Sequence, residues 1–266
     1  MSVRYALTDG AVVAKRNLIK IKRVPDILVF TIISPIMFVL LFAYVFGNSI
    51  DVPGVNYREF LIAGIFAQTV VFGSTFTGAG LAEDIQKGVI DRFRSLPMAR
   101  SAVLVGRTTS DVLYNVISLA IMAITGLIVG WRIHGSFLEA VAAFALLLLF
   151  AYAFSWIMAW VGLLVPTPEV VNNASFIVIF PLTFIANTFV PVENLPGVLR
   201  TFAEWNPVSA VTQATRDLFG NTNPADPPPD VWPLRNPELY TLIWVAIILI
   251  VFIPLSNRQY RKATSR

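Results

Sequence analysis

Phenylalanines recur at intervals of four residues in two uncharged segments of this sequence, which is the spacing of one face of a helix. Phe176, Phe180 and Phe184 form the longer series, and Phe72 and Phe76 form the shorter one. Aromatic faces of this kind most often face lipid or pack between helices, but they also line concave sites for flat, apolar ligands. The spacing is therefore compatible with helix packing and with a pathway for a greasy substrate.

The groups that catalysis or metal binding requires are scarce. Cysteine is absent and His134 is the single histidine, so neither a thiolate nucleophile nor a histidine cluster is expected. The sequence contains no Gly-x-x-x-x-Gly-Lys-Ser/Thr loop for nucleotide phosphates and no Gly-x-Ser-x-Gly elbow. Asp111 and Glu139 are expected at the ends of membrane spans, where water reaches them. We therefore expect a chain that is not an enzyme by itself and that binds no metal or cofactor.

The composition accounts for this scarcity. The 266 residues are 56% hydrophobic and only 14% charged, whereas soluble domains are about 25% charged. Six uncharged runs each approach the ~20 residues that a helix needs to cross a bilayer, and backbone in lipid must be helical. The predicted fold class is an all-α polytopic membrane protein with six transmembrane helices. The runs cover roughly 27–47, 60–82, 112–131, 140–165, 172–190 and 239–256.

Lysine and arginine are concentrated in three segments outside these runs. Residues 1–26, residues 83–107 and the C-terminal tail hold fifteen of the 20 cations. The chain is predicted to lie in the bacterial cell (plasma) membrane. Because positively charged loops stay in the cytoplasm, both termini are predicted on its cytoplasmic side. The fifth run contains Pro181, so this span is expected to be either continuous or broken early and partly re-entrant.

Two amphipathic helices are predicted in the cytoplasmic segments. Residues 5–24 form a basic helix that either anchors the chain at the membrane interface or links a cytoplasmic partner to the first span. A second helix is predicted at 84–96 and ends before Pro97. Acids mixed among its cations favour a protein partner over anionic lipid. The apolar face of this second helix consists of Ile85, Val89, Ile90, Phe93 and Leu96.

The long external segment, 191–238, is predicted to contain two short helices that dip back toward the membrane. Asn194 is predicted to cap the first helix. Asn206 is predicted to cap the second, with Pro207 at its first position and Gly220 just past its end.

The order of these elements resembles the permease subunit of ABC type-2 exporters, in particular the daunorubicin-resistance-type branch. The likeness covers essentially the whole chain and depends on the ordered occurrence of three segments. These are GVIDRFRSLPMAR at 88–100, FVPVENLP at 189–196, and WNPVS at 205–209 running to RDLFG at 216–220.

The resemblance implies a transmembrane permease that moves a hydrophobic drug, an antibiotic or a lipid-like substrate out of the cytoplasm or the inner leaflet. A separate ATP-binding-cassette ATPase subunit would bind ATP and Mg²⁺ and drive transport. A second permease copy, forming a homodimer or a heterodimer with a related permease, would complete the path. In such exporters the first cytoplasmic helix is the connecting helix and the loop after the second span contains the coupling helix.

The resemblance also assigns roles to individual residues. Coupling to the ATPase is expected from Asp84, Ile85, Lys87, Gly88, Val89, Asp91, Arg92, Phe93, Arg94, Leu96 and Pro97. The substrate path, between the first, second and fifth spans, is expected at Phe38, Phe42, Gln68, Phe72, Phe76, Phe176, Phe180 and Phe184. The motif of the external helices comprises Asn194, Pro196, Asn206, Pro207, Arg216 and Gly220.

A single ABC type-2 transmembrane domain is predicted for residues 1–266. An exporter of lipid-linked polysaccharide with the same fold is the nearest alternative function, and a channel or a membrane-embedded enzyme is more distant. A neighbouring gene for a phosphate-loop ATPase would separate an exporter from the last two. The predicted parts are 1–26 (connecting helix), 27–82 (spans one and two), 83–107 (coupling loop), 108–190 (spans three to five), 191–238 (external helices and Pro-rich linker) and 239–266 (last span and tail).

Overall fold

The computed structural model describes residue 33 and residues 36–46, 56–90, 102–223 and 230–263, and within these segments the chain is helical and contains no strand. The last turn of the first helix is wound as a π-helix, and a 3-10 turn precedes α7. The helices are α1 (Ile36–Val45), α2 (Tyr57–Gly73), α3 (Thr75–Gln86), α4 (Ala102–Val129), α5 (Phe137–Leu164), α6 (Pro168–Phe184), α7 (Gly197–Trp205), α8 (Pro207–Phe219), α9 (Trp232–Arg235) and α10 (Pro237–Ala263).

Four helical stretches in the described segments are long and apolar enough to cross a membrane. Two shorter apolar helices, α1 and α6, accompany them. The chain is thus an all-helical multi-pass membrane protein, while the count of six spans stays a prediction. The predicted connecting helix at 1–26 lies outside the described residues. The four stretches are Tyr57–Gln86, Ala102–Val129, Phe137–Leu164 and Pro237–Lys262.

Helix α5 lies at the centre of the described bundle and packs against α2, α3, α4, α8 and α10. Its contact with α3 requires glycine on both helices. A Cβ atom at Gly78 would lie 2.7 Å from the Met158 carbonyl oxygen, and one at Gly162 would lie 2.3 Å from the Gly78 carbonyl oxygen. Because lipid offers helices no hydrophobic driving force to associate, such close backbone approach supplies the van der Waals contact that holds them together.

The stretch Tyr57–Gln86 consists of two helices, α2 and α3, that meet at Ser74. The Ser74 hydroxyl donates to the Val71 carbonyl at 2.6 Å, and the Thr75 hydroxyl donates to the Phe72 carbonyl at 2.7 Å. Hydroxyls that compete for helix carbonyls in this way often bend a helix. The interruption of the helix at Ser74 therefore has a local cause in the sequence.

Helix α6 shows how the fifth apolar run folds. It runs from Pro168 to Phe184 and passes through Pro181 without a break, then ends three residues later. The helix is thus continuous across the proline but stops six residues before the predicted end at 190. Residues 185–190, called the α6 turn below, connect it to the external segment.

One of the two predicted external caps is wrong. Asn194 ends the 3-10 turn Val192–Asn194, and α7 begins only at Gly197 with Pro196 as its N-cap residue. The residue before a proline is disfavoured in helical geometry, so Leu195 is extended and Asn194 lies too far upstream to cap α7. The second cap is confirmed: Asn206 Oδ1 accepts from the Val208 amide, Pro207 is the first helical residue, and Gly220 ends α8 with a φ of 69°.

The expectation that water reaches Asp111 is also wrong. Helix α4 begins at Ala102, ten residues before the predicted run, so Asp111 lies inside the helix and only 7% of it is exposed. It accepts a hydrogen bond from the Thr77 hydroxyl. Glu139, by contrast, lies at the start of α5, where it completes a capping box with Ser136.

Candidate functional site

The phenylalanine series of α6 lies on a side of the helix that is not buried against the rest of the chain. Its buried residues, Val171, Ser175, Ile179 and Thr183, form one stripe at intervals of four. The remaining surface of α6 is less covered by the rest of the chain. Phe176, Phe180 and Phe184 lie on this surface and are 55%, 39% and 37% exposed. A row of large exposed aromatic side chains on a membrane protein is available to lipid, to another chain or to a substrate.

Seven phenylalanine rings from three apolar helices and the α6 turn contact one another in an unbroken series. The Phe180 and Phe184 rings are the closest pair, with centroids 4.1 Å apart. Neighbouring centroids elsewhere in the series are 4.6 to 6.2 Å apart, the range of favourable ring contacts. We call this series of rings the aromatic ribbon; its members in spatial order are Phe38, Phe42, Phe189, Phe184, Phe180, Phe176 and Phe72.

Six of the eight residues that the sequence assigned to a substrate path lie in the aromatic ribbon. Phe76 does not: its ring packs against Tyr114 of α4, with centroids 5.2 Å apart. Gln68 is buried in α2, and its side-chain oxygen has no hydrogen-bond partner among the described residues. Phe189, which joins α1 to α6, was missed because it follows the helix and so breaks the spacing of four. Its position at the start of the FVPVENLP segment was the available signal.

The α6 turn is held by a polar stripe on α8. Asn206, Ser209, Gln213 and Arg216 follow one another at helical spacing and so share one face. The last carbonyls of a helix have no partner within the helix. Asn206 Nδ2 donates to two of them, the Leu182 oxygen at 2.7 Å and the Ile185 oxygen at 2.9 Å. One asparagine thus caps the start of α8 and the end of α6.

The middle of the α8 stripe binds the side chain and backbone of Asn187 in the α6 turn. The Asn187 backbone N–H donates to Ser209 Oγ at 2.9 Å, and the side-chain Nδ2 of Asn187 donates to Gln213 Oε1 at 2.8 Å. All three residues are buried. The Tyr57 hydroxyl adds a bond from α2 to the Phe189 carbonyl at 3.1 Å. The backbone that carries Phe189 of the aromatic ribbon is therefore fixed by side chains of α8 and α2.

Arg216 completes this arrangement and is fully buried. Its Nε donates to the Phe60 carbonyl at 2.8 Å, and its Nη2 donates to the Thr188 carbonyl at 3.1 Å. The guanidinium also lies over the Phe60 ring, 3.4 Å from the centroid, which compensates part of the cost of burying a charge. Burial lowers the pKa of Arg216 to about 9, so the side chain is still charged at pH 7. Arg216 thus clamps the α6 turn onto α2.

A second polar cluster joins α3 to α4. Arg107 Nη2 donates to the Phe76 carbonyl at 2.7 Å, and Arg107 Nε lies 3.8 Å from Asp111 Oδ2. Asp111 accepts from Thr77 of α3 on the same side. A Cβ atom at Gly80 would overlap the Arg107 guanidinium, so a larger residue there would displace the Arg107 side chain. These contacts fasten together the two helices between which the 91–101 segment runs.

The described part of the predicted coupling loop differs from a single helix at 84–96. Asp84 and Ile85 belong to the end of α3, which stops at Gln86. Gly88 has a φ of 65°, a conformation that ends helices, and helical residues resume at Val89. The hydrogen bond from Lys87 to Glu83, 2.5 Å long, raises the pKa of Lys87. Six further predicted residues lie outside the described segments: Asp91, Arg92, Phe93, Arg94, Leu96 and Pro97.

Part of the predicted apolar face of this loop packs inside the chain. Ile90 is buried in a small cluster with Leu104 and Trp156, and Ile85 packs against the same cluster. The Ile90 side chain is therefore buried within the chain, whereas the Ile85 side chain is only partly covered by it. The sequence pattern did not distinguish the two cases, because burial within the chain and burial against a partner need the same apolar spacing.

Known proteins are similar in sequence to this chain over most of its length. The family model described as ABC-2 type transporter matches residues 10–219. The daunorubicin resistance ABC transporter permease protein DrrB1 of Streptomyces coeruleorubidus is 36% identical over 246 residues, which cover 92% of this chain and 83% of that protein. The probable doxorubicin resistance ABC transporter permease protein DrrC of Mycobacterium tuberculosis (strain ATCC 25618 / H37Rv) is 23% identical over 88% of this chain and 81% of that protein.

A more distant relative widens the comparison. The inner membrane transport permease YadH of Escherichia coli (strain K12) is 23% identical over 77% of this chain and 81% of that protein. The matched region of the family model contains the whole aromatic ribbon, the α8 stripe and the Arg107–Asp111 cluster. On this coverage, the chain belongs to the ABC-2 type transporter family.

Proposed function

We propose that this chain is the permease subunit of an ATP-driven exporter of flat, hydrophobic compounds, with the aromatic ribbon as its substrate path. The ribbon is the observation that carries the proposal. Two relatives are named for resistance to daunorubicin or doxorubicin. Exposed phenylalanine faces suit planar apolar ligands, because ring stacking and burial of apolar surface need no hydrogen-bond partner.

A second permease copy would complete the path. The α6 part of the ribbon forms an open surface in one chain, and a ligand site normally encloses most of its ligand. Soluble homo-oligomers commonly pair through a two-fold axis, and such an axis beside α6 would place the two ribbons face to face. The proposed site therefore lies between two permease chains, each contributing one aromatic wall.

The driving force would come from a separate ATPase subunit that binds ATP and Mg²⁺. We place its contact at the loop of residues 83–107, on the cytoplasmic side together with both termini. The ends of the 91–101 segment are attached to α3 and α4, which Arg107, Asp111 and Thr77 fasten to each other. A displacement of the loop would therefore move α3 and α4 as one unit. Phe72, two residues before the α2–α3 junction at Ser74, would pass that movement to the ribbon.

Replacement of one ribbon ring tests the path. The chain, co-expressed with the ATPase and reconstituted in vesicles, is assayed for uptake of daunorubicin, a fluorescent planar amphiphile. Phe180→Ala should raise the apparent KM about fivefold, since a lost aromatic contact is worth about 1 kcal/mol. Phe137→Ala is the matched control, because Phe137 is 81% exposed at the start of α5 and lies outside the ribbon. Equal transport by both variants, at equal protein levels, would contradict the path.

A second experiment tests the ATPase contact independently of the substrate. Phe93→Ala should weaken co-purification of the ATPase about 30-fold, because truncating an aromatic anchor at an interface often costs about 2 kcal/mol. Gln86→Ala serves as a control at an exposed position of the same loop outside the predicted coupling residues and should change association little. If Phe93→Ala retains full association and full ATP-driven transport, the assignment of the ATPase contact is wrong. The aromatic ribbon as substrate path is tested separately by Phe180→Ala.

A further inference from the structure

A groove with a volume of about 720 Å³ runs along the side of α6 that faces away from the aromatic ribbon. Helices α5 and α10 form its other walls, and α7 closes one end with Phe202 and Trp205. Ala174, Val178 and Leu182 line it from α6. These residues are two positions from the ribbon phenylalanines, which turns them to the opposite side of a helix. We call this cavity the α6–α10 groove.

The groove exists because α6 and α10 pack against different partners. Helix α6 packs mainly against α3, whereas α10 packs against α5 and α8. The gap between them opens along a surface on which Val178, Ile247 and Val251 are exposed. Because α5 and α10 are long enough to cross the membrane, this opening faces the environment of the spans. In a bilayer that environment is hydrocarbon.

The chemistry of the lining restricts the occupant. Among the described residues that line the groove, Ser175 and Asn206 are polar, and the rest are apolar apart from the indole groups of Trp205 and Trp244. The Ser175 hydroxyl already donates to the Val171 carbonyl at 2.6 Å. The Asn206 side chain is used by both helix ends that it caps. Both side chains therefore already have hydrogen-bond partners within the protein. Sites for drug-sized ligands, by contrast, normally direct a few polar groups toward the ligand.

We propose that the α6–α10 groove binds an acyl chain of a membrane phospholipid. An acyl chain matches a lining that offers dispersion contacts and few polar contacts. The groove also continues onto the exposed apolar face of α7, which includes Val198 and Leu199. An amphipathic helix with such a face lies along a membrane interface, where tryptophan rings such as that of Trp205 are also favoured. The headgroup is therefore placed at the α7 end of the groove.

The bound acyl chain would pack against the side of α6 that is opposite the aromatic ribbon. Without it, α6 is held by the single buried stripe on α3 and by its C-terminal turn. Lipid in the groove therefore affects how firmly the aromatic ribbon is positioned, a consequence that rests on the proposed function. The binding of lipid itself does not depend on that function.

A cavity-filling variant tests the site. Ala174→Phe places a ring in the groove, and Ala142→Phe makes the same change at an exposed position of α5 outside it. The permease–ATPase complex is purified after exchange into vesicles of phosphatidylethanolamine and phosphatidylglycerol, and retained phospholipid per chain is counted by native mass spectrometry. Ala174→Phe should retain at least one lipid fewer per chain than Ala142→Phe or the unchanged protein. Val178→Asn, which adds an amide to the same wall, should have the same effect.

Other occupants give different results. If Ala174→Phe and Val178→Asn retain as much lipid as the control, the acyl-chain site is rejected. The acyl-chain site is also rejected if the two variants dissociate the second permease copy, or lose daunorubicin binding, while the number of retained lipids stays unchanged. Transport is recorded separately: a loss of transport with unchanged lipid retention concerns the aromatic ribbon, and a loss of lipid with unchanged transport leaves the site valid and removes its effect on α6.

Discussion

Helices α2 and α6 are both 17 residues long, but their surroundings are opposite. In α2, thirteen residues are buried and distributed around the whole helix, whereas in α6 only four are buried, all on one stripe. Moving α2 would expose packed surface on every side. Moving α6 would disturb one stripe and the turn at its end. The comparison identifies α2 as the fixed scaffold and α6 as the helix that can meet a substrate or a second chain.

The two helices are connected at the α6 turn. Gly64 of α2 lets the backbone of Thr188 lie directly on the helix, since a Cβ atom there would be 2.0 Å from the Thr188 oxygen. Arg216 bonds to a carbonyl on each side of this contact. The α6 turn is thus attached to α2 through Thr188 and Arg216. The following predictions test how strongly each part of this anchor contributes.

The largest effect is expected where the turn touches α2. Gly64→Val would drive its side chain into backbone atoms of residue 188, which cannot rotate away, so the cost should exceed the about 1–3 kcal/mol of ordinary overpacking. We expect most of the protein to be lost as aggregate in size-exclusion chromatography. Gly197→Ala is the control, because a Cβ atom there meets no neighbour within 4 Å. Monodisperse Gly64→Val protein with a normal melting temperature would show that α2 is not a rigid scaffold.

A smaller effect is expected when the end of α6 loses its cap. Asn206→Leu removes the donor to the Leu182 and Ile185 carbonyls and the acceptor for the Val208 amide. We expect a destabilisation of about 2 kcal/mol or more, since each buried polar group without a partner costs about 1–3 kcal/mol. Thermal unfolding in detergent measures it.

Asn206→Asp separates the two caps. An aspartate still accepts from the Val208 amide but cannot donate to the α6 carbonyls, so this variant should lower the melting temperature by an intermediate amount. If Asn206→Asp is as stable as the unchanged protein, the end of α6 does not depend on α8.

The exposed face of α6 should tolerate substitution. The chain contains no cysteine, so Ile177→Cys introduces one beside the aromatic ribbon at a position that is 71% exposed. Its melting temperature should change little, and oxidation should link two copies if the ribbons face each other. Ile124→Cys, on the exposed surface of α4, should not link. Efficient linking by both cysteines, or by Ile124→Cys alone, would contradict the arrangement of the two copies.

A pH-dependent effect is expected at Asp217, beside the Arg216 clamp. Burial raises the pKa of the Asp217 carboxyl to about 6, so the folded state holds its proton more tightly than the unfolded state does. The stability of the protein should therefore fall as pH rises from about 4 to about 6 and level off above it. Asp217→Asn keeps an acceptor for Gln213 Nε2 and removes the charge. Its melting temperature relative to the unchanged protein should rise over that interval, and a constant difference would exclude ionisation of Asp217 as the cause.

Local sequence signals predicted much of this arrangement. Composition and run length predicted a helical membrane protein, because backbone in lipid has few other ways to satisfy its hydrogen bonds. The spacing of four predicted that Phe176, Phe180 and Phe184 share a face, and the turn chemistry of Asn206, Pro207 and Gly220 predicted α8. Each of these depends on residues within one or two helical turns of each other.

The tertiary structure decided which of these local features meet. That Phe189 joins α1 to α6, that Asp111 is buried against Thr77, and that Ile90 packs inside the chain all depend on residues far apart in sequence. The same holds for Asn206, whose cap of α8 was visible in the sequence and whose cap of α6 was not. A helix face is set by the 100° rotation per residue, but its neighbour is set by packing between helices, where glycine contacts and buried polar groups have partners that no short segment contains.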